Sequence, residues 1–136
     1  MSKLGRIKRA VFIGIINKFM CGTHFFTTKR RLLNAAGIST GAGTKIVGPI
    51  YLGNVSEVSF GNCVWVGMNF AVYGNGRVDI RDNIDIAPDV SFATGSHEVS
   101  NSSKRRAGKG IAYQIIVGSG SWIGTRSTIV GGGRNW

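Results

Sequence analysis

The chain has 136 residues, 17 Lys and Arg against 6 Asp and Glu, and a formal charge of +11. That length supports one domain and leaves no room for a second packed core. A 43% hydrophobic share excludes bulk disorder, and 21 glycines against 2 prolines, without every-third spacing, exclude collagen and point to many short strands joined by tight turns.

Residues 1–36 read as a basic N-terminal helical segment. Lys3, Arg6, Lys8, Arg9, Lys18, Lys29, Arg30 and Arg31 fall in its first 31 residues, where there is no acid. A basic amphipathic helix is predicted over roughly residues 3–20, and a second short helix near Thr27–Ala36, ended by Gly37. Ala10–Met20 has the composition of a signal-peptide core, but no Ala-x-Ala cleavage site follows it. With Asn17 and Lys18 inside it, it also falls well short of the roughly 20 apolar residues that cross a bilayer. Cys21 and Cys63 lie in unrelated contexts and make no disulfide framework, which fits a reducing, cytoplasmic setting. Two Cys and two His without CxxC or HxxxH spacing argue against zinc.

From residue 46 a different rule takes over. Apolar residues recur every six positions as Ile46, Leu52 and Val58, then after a slip of two as Phe60, Val66, Val72 and Val78, then after a second slip as Ile80, Ile86 and Phe92. Small or apolar residues stand four positions after many of these, as at Ile50, Ser56, Val64, Ile84, Val90, Ser121 and Ser127. A period of six fits neither a helix at 3.6 nor a strand at 2; it suits a coil of very short strands that turns a corner after each hexad. Slips at 58/60 and 78/80 place an extra pair of residues at the same corner on successive turns of a three-sided coil. Such a pattern is buried only by stacking turns, so the expected architecture is a parallel β-helix over residues 37–133. A β-sandwich would need alternation within strands and turns every 8–12 residues, which the hexads do not follow.

The rule breaks once. Phe92-Ala-Thr-Gly-Ser-His97 is followed by Glu98 where an apolar residue is due, and residues 98–114 are polar and basic before the repeat resumes at Val117. Stretches this long in a compact domain tend to be functional or disordered. His97 is expected at a coil corner beside this excursion, facing a cleft.

The segments Phe60-Gly-Asn-Cys-Val-Trp-Val-Gly67, Ile80-Arg-Asp-Asn-Ile-Asp-Ile-Ala-Pro-Asp-Val90 and Ile116-Val-Gly-Ser-Gly-Ser-Trp-Ile-Gly124 resemble those of the hexapeptide-repeat acyltransferases, in particular the maltose/galactoside O-acetyltransferase branch with its relatives from capsule and lipopolysaccharide clusters. The resemblance spans about residues 36–130. It implies an all-β, left-handed parallel β-helix with a short N-terminal helical segment, homotrimers with sites between neighbouring subunits, and acetyl-CoA as the donor, without a metal. It also implies further coils after Gly133. The ending Arg134-Asn135-Trp136 fits no hexad and leads to the expectation of a shortened C-terminus, with weaker donor binding and an exposed coil end.

By the same resemblance, His97 is the general base that takes a proton from an acceptor hydroxyl and returns one to the departing thiolate, work suited to an imidazole near neutral pH. Glu98 either orients that imidazole or lines the acceptor site, or simply points elsewhere. Asn69 matches a position that contacts the acceptor sugar, or else forms a turn. Gly118, Ser119, Gly120, Trp122 and Gly124 resemble the coil that lines the pantetheine arm, although Trp65 holds the equivalent hexad position and suggests a packing choice. Lys104, Arg105, Arg106, Lys109 and Arg126 are candidates for the phosphates of CoA, against the reading of a solvated basic loop. His24, outside the repeat, reads as a structural or surface residue.

The leading expectation is an acetyl-CoA-dependent O-acetyltransferase acting on a sugar hydroxyl of a polysaccharide or lipopolysaccharide precursor. The alternatives are a sugar N-acetyltransferase, or a catalytically impaired trimer with a structural or binding role. Nucleic-acid binding has only the net charge behind it, since the aromatics fall at core phases rather than among the basic residues. A γ-type carbonic anhydrase needs three histidine ligands where only His24 and His97 exist, and a nucleotidyltransferase needs a further domain. The N-terminal helix is expected to pack on the trimer or, alternatively, to touch the inner face of an anionic membrane.

Overall fold

The computed structural model describes residues 1–53 and 56–132. Helix α1 (Lys3–Phe19) starts where the Ser2 hydroxyl accepts a hydrogen bond from Gly5 N, and it buries Arg9 and Ile16 on one face. Helix α2 (Phe26–Ala35) ends ahead of Gly37, whose φ of +83° lets the chain reverse.

The rest of the described chain winds in four coils. The first carries β1 (Ser39–Thr40), β2 (Lys45–Ile46) and β3 (Ile50–Leu52); the second β4 (Glu57–Phe60), β5 (Trp65–Val66) and β6 (Phe70–Tyr73). The third carries β7 (Arg77–Ile80), β8 (Asp85–Ile86) and β9 (Ser91–Ala93), then a hairpin of β10 (Gly95–Val99) and β11 (Ala107–Ala112) departs. The fourth carries β12 (Ile115–Val117), β13 (Trp122–Ile123) and β14 (Thr128–Val130). Corresponding strands pair in parallel into three four-stranded sheets: β1-β4-β7-β12 on the first side, β2-β5-β8-β13 on the second and β3-β6-β9-β14 on the third.

The register explains the slips in the hexads. Strand β4 is buried at both Val58 and Phe60, which lie opposite Val78 and Ile80 of β7, so each slip is a first-side strand with two inward residues. Neighbouring coils are offset by 20 residues, as Asn69 and Asp89 are, until the hairpin raises the offset to 37, as between Ser91 and Thr128. The hairpin thus inserts 17 residues without disturbing the stack. The core is a set of columns running along the coil: Ile46, Val66, Ile86 and Ile123 on the second side, with Phe60, Phe70 and Phe92 packed at 5.4 and 5.5 Å between ring centroids.

The corners stack as well. At the corner from first to second side, Asn62 Oδ1 accepts from Ala42 N, Asp82 Oδ1 from Asn62 N and Ser119 Oγ from Asp82 N, so each coil's side chain holds the coil before it. Asn69, Asp89 and Arg126 share a left-handed φ near 60° at the corner from second to third side, a conformation that Asn and Asp tolerate better than Arg.

The helices close the N-terminal end of the stack. Asn17 Nδ2 donates to Ile50 O and Asn17 Oδ1 accepts from Ile50 N, at 2.7 and 2.9 Å, satisfying both backbone groups of Ile50 on an edge strand. Lys29 Nζ donates to Val47 O, Arg9 to Ser56 O, and Asn34 Oδ1 accepts from Thr40 N. The basic segment therefore packs on its own coil through residues that a polar reading would have left in water. No helix among the described residues is long and apolar enough to cross a membrane.

Candidate active site

The excursion over residues 98–114 is not a loop that begins after His97. It is an antiparallel hairpin that begins at Gly95, so His97 stands within its first strand, opposite Gly110, rather than at the coil corner. The repeat resumes at Ile115, buried opposite Val78, two residues before Val117.

The hairpin is rooted in a compact corner. Thr94 is fully buried; its N and Oγ1 both donate to Tyr73 O, its Oγ1 accepts from Gly76 N, and its O accepts from Tyr113 N. One residue thus ties together the corner of the coil before it and both ends of the insertion. Gly74, at φ +92°, lies so close that a Cβ would meet Gly95 N at 2.6 Å. Gln114, at the re-entry point, donates to Asp79 Oδ2, which also belongs to a cluster with Ser59 and Arg77 on the outer first side.

Between this corner and the hairpin lies a cleft of about 320 Å³, lined by Asn75, Gly95, Ser96, His97, Gly110, Ile111 and Ala112. The pairing shifts between His97 and Val99, where β11 carries one residue more than β10. That bulge contains Gly108, whose carbonyl oxygen lies 2.9 Å from His97 Nδ1. A carbonyl only accepts, so in the neutral imidazole Nδ1 holds the proton and Nε2 carries the lone pair. An exposed imidazole with a fixed tautomer and a free Nε2 is arranged to accept a proton from a bound hydroxyl or amine.

Asn75 escaped the sequence reading. Its signal was the coil itself: twenty residues on from Asn75 is Gly95, so the column that ends in the hairpin root includes Asn75 one coil earlier.

The other candidates are spread around the protomer. Glu98 is exposed on β10 and does not line the cleft. Asn69 lies at the second-to-third corner, where its Nδ2 donates to Asp89 Oδ1 at 2.8 Å, and Arg126 shares that corner. Gly118, Ser119 and Gly120 turn the first-to-second corner, and Ser119 Oγ is engaged by Asp82 N. Trp122 is 82% exposed on the outer second side, in the column of Lys45, Trp65 and Asp85, with Gly124 just beyond its strand. Trp65 is half-buried against Phe26, which leaves Trp122 as the tryptophan of that column open to a ligand. Lys104, Arg105 and Arg106 crowd the hairpin tip and Lys109 lies on β11, all exposed. His24 is exposed and stacks edge-on against Phe25. Among the described residues no three His, Cys, Asp or Glu side chains converge as a metal site. Gly133 and the ending Arg134-Asn135-Trp136 lie outside the described residues.

No protein-family model matches the chain. Galactoside O-acetyltransferase of Escherichia coli (strain K12) is 25% identical over 101 residues, which are 74% of this chain and 49% of that protein. The chain therefore spans about half the length of this curated relative. A crystal structure of a hexapeptide-repeat-containing acetyltransferase from Vibrio cholerae O1 biovar eltor, complexed with acetyl-coenzyme A, superposes with a TM-score of 0.66 at 21% identity. The match covers 93% of this chain and 73% of that one. A galactoside acetyltransferase in complex with coenzyme A gives 0.64 at 19% identity, over 96% of this chain and 72% of that one. The resemblance read from the hexads holds in sequence and in fold: the chain is a left-handed parallel β-helix of hexapeptide repeats, as in these acetyltransferases.

Proposed function

We propose that the protein transfers an acetyl group from acetyl-CoA to a hydroxyl of a sugar or glycan, with His97 as general base. The observation that carries this reading is the contact of His97 Nδ1 with Gly108 O, which leaves Nε2 free in the cleft. Sequence likeness to a galactoside O-acetyltransferase, and a fold shared with acetyltransferases solved with acetyl-CoA and CoA, support the donor and the reaction class.

In this mechanism Nε2 takes the hydroxyl proton as the acceptor oxygen attacks the thioester carbonyl. Collapse of the tetrahedral adduct breaks the C–S bond, and the imidazolium, steadied by Gly108 O, protonates the thiolate to give CoA and the acetyl ester. The Gly118–Gly124 coil and Trp122 would flank the pantetheine arm, and Lys104, Arg105, Arg106, Lys109 and Arg126 would meet the phosphates. Asn69 and Glu98 are proposed to lie on the acceptor side.

These groups occupy three different corners of the protomer and one of its sides, so a complete site requires a neighbour. We therefore infer a homotrimer in which the His97 corner of one subunit faces the Trp122 side of the next.

Thiol release from acetyl-CoA in the presence of a panel of sugars tests the reaction. His97→Ala is expected to lower kcat by about 100-fold or more, with acetyl-CoA binding by calorimetry retained. Unchanged turnover in that variant removes the proposed base. Including amino sugars in the panel separates O- from N-acetylation.

A further inference from the structure

Helix α1 has two apolar faces, and the coil uses one of them. Ile16 is buried and Ile13 packs on the core, on the face that also sends Arg9 and Asn17 to the backbone of the first coil. On the opposite face Leu4, Ile7 and Val11 are 75%, 53% and 51% exposed, and Phe19 follows at 67%. Their spacing of three and four places Leu4, Ile7 and Val11 in one stripe. Lys3, Arg6, Lys8 and Lys18 are exposed around it, and the whole of residues 1–31 contains no acid to offset them.

We propose that this outer face of α1 lies on an anionic lipid surface. A helix that carries an apolar stripe between cations is built for the boundary between headgroups and acyl chains: the stripe enters the apolar zone while the ammonium groups meet lipid phosphates. The contacts of Arg9 and Asn17 on the buried face hold the helix against the coil, so it is presented as a rigid ledge. A second copy of the chain is a poor occupant, because two such faces would bring Lys3, Lys8 and Lys18 against their own counterparts. The proposal stands independently of the acetyltransferase reading.

Flotation of the full chain with vesicles tests it. Vesicles of phosphatidylcholine alone should leave the protein in the bottom fraction. Vesicles in which about a third of the lipid is phosphatidylglycerol should float it, and the floated fraction should fall as salt rises. The combined variant Leu4→Gln, Ile7→Gln, Val11→Gln keeps helix-forming residues on the outer face and should lower partitioning about tenfold at unchanged Tm. Three outcomes overturn the proposal: no flotation of the wild type, equal flotation of the variant, or a variant of lower mass than the wild type by light scattering. The last would identify the face as an interface between copies.

Discussion

Asp79 holds a charge on the outer first side with 7% of its surface exposed. Burial alone would raise its pKa, but hydrogen bonds from Ser59, Arg77 and Gln114, together with the charge of Arg77, outweigh burial and leave the carboxyl below its usual range. A group with a depressed folded pKa contributes stability that is present above its unfolded value of about 3.9 and is lost as pH falls through the folded one. Asp79→Asn should therefore cost about 1–3 kcal/mol at neutral pH, and the gap to the wild type should narrow at acid pH. Urea unfolding at pH 7 and pH 3 measures both; a gap that stays constant would mean the carboxylate's charge is not what stabilises this cluster. The same residue links scaffold to site, since Gln114 is where the chain re-enters the coil.

Among the elements, the two N-terminal helices fall where the residues placed them, whereas their anchoring contacts and the hairpin differ most from what the residues suggested. Asn17 reads as a polar interruption in an apolar run, yet it satisfies both backbone groups of Ile50 on an edge strand. Asn17→Ala should cost about 1–3 kcal/mol and unprotect the Ile50 amide to hydrogen exchange, whereas unchanged protection would show that the helix covers the edge by shape alone. The coil strands were legible because each buries a residue at a fixed phase. Strands β10 and β11 were not, because nearly every side chain on them is exposed and no alternation marks them. His97 was legible through its neighbours in sequence and Asn75 only through its neighbour one coil away. The anchoring roles of Arg9, Asn17 and Lys29 left no trace, since their shortest contacts are to backbone atoms, which carry no sequence signature.

At the scale of the whole molecule, the proposed trimer makes a claim about shared sites. If the His97 of one subunit works with the Trp122 of the next, neither His97→Ala nor Trp122→Ala protomers retain full activity alone. Trimers refolded from an equal mixture should then recover roughly a quarter of the wild-type rate, because one site in four has both residues intact in a ring of heterologous interfaces. No recovery above the two separate variants would place the two residues in the same subunit's site, or apart altogether. Charge is divided in a similar way: five of the six acids lie in the coils, with Glu98 on the hairpin, and most of the cations lie on the capping helices and the hairpin.

The hairpin leaves and rejoins the stack at one corner, and the coils before and after it keep the same pairing as if nothing had intervened. A splice of this kind separates two roles. The scaffold's stability is decided by columns that repeat, while the proposed base sits on a hairpin that those columns accommodate without a change of pairing. Changes to residues 98–106 can therefore alter what is recognised without asking the coil to be redesigned, and the same port would accept a longer or shorter graft.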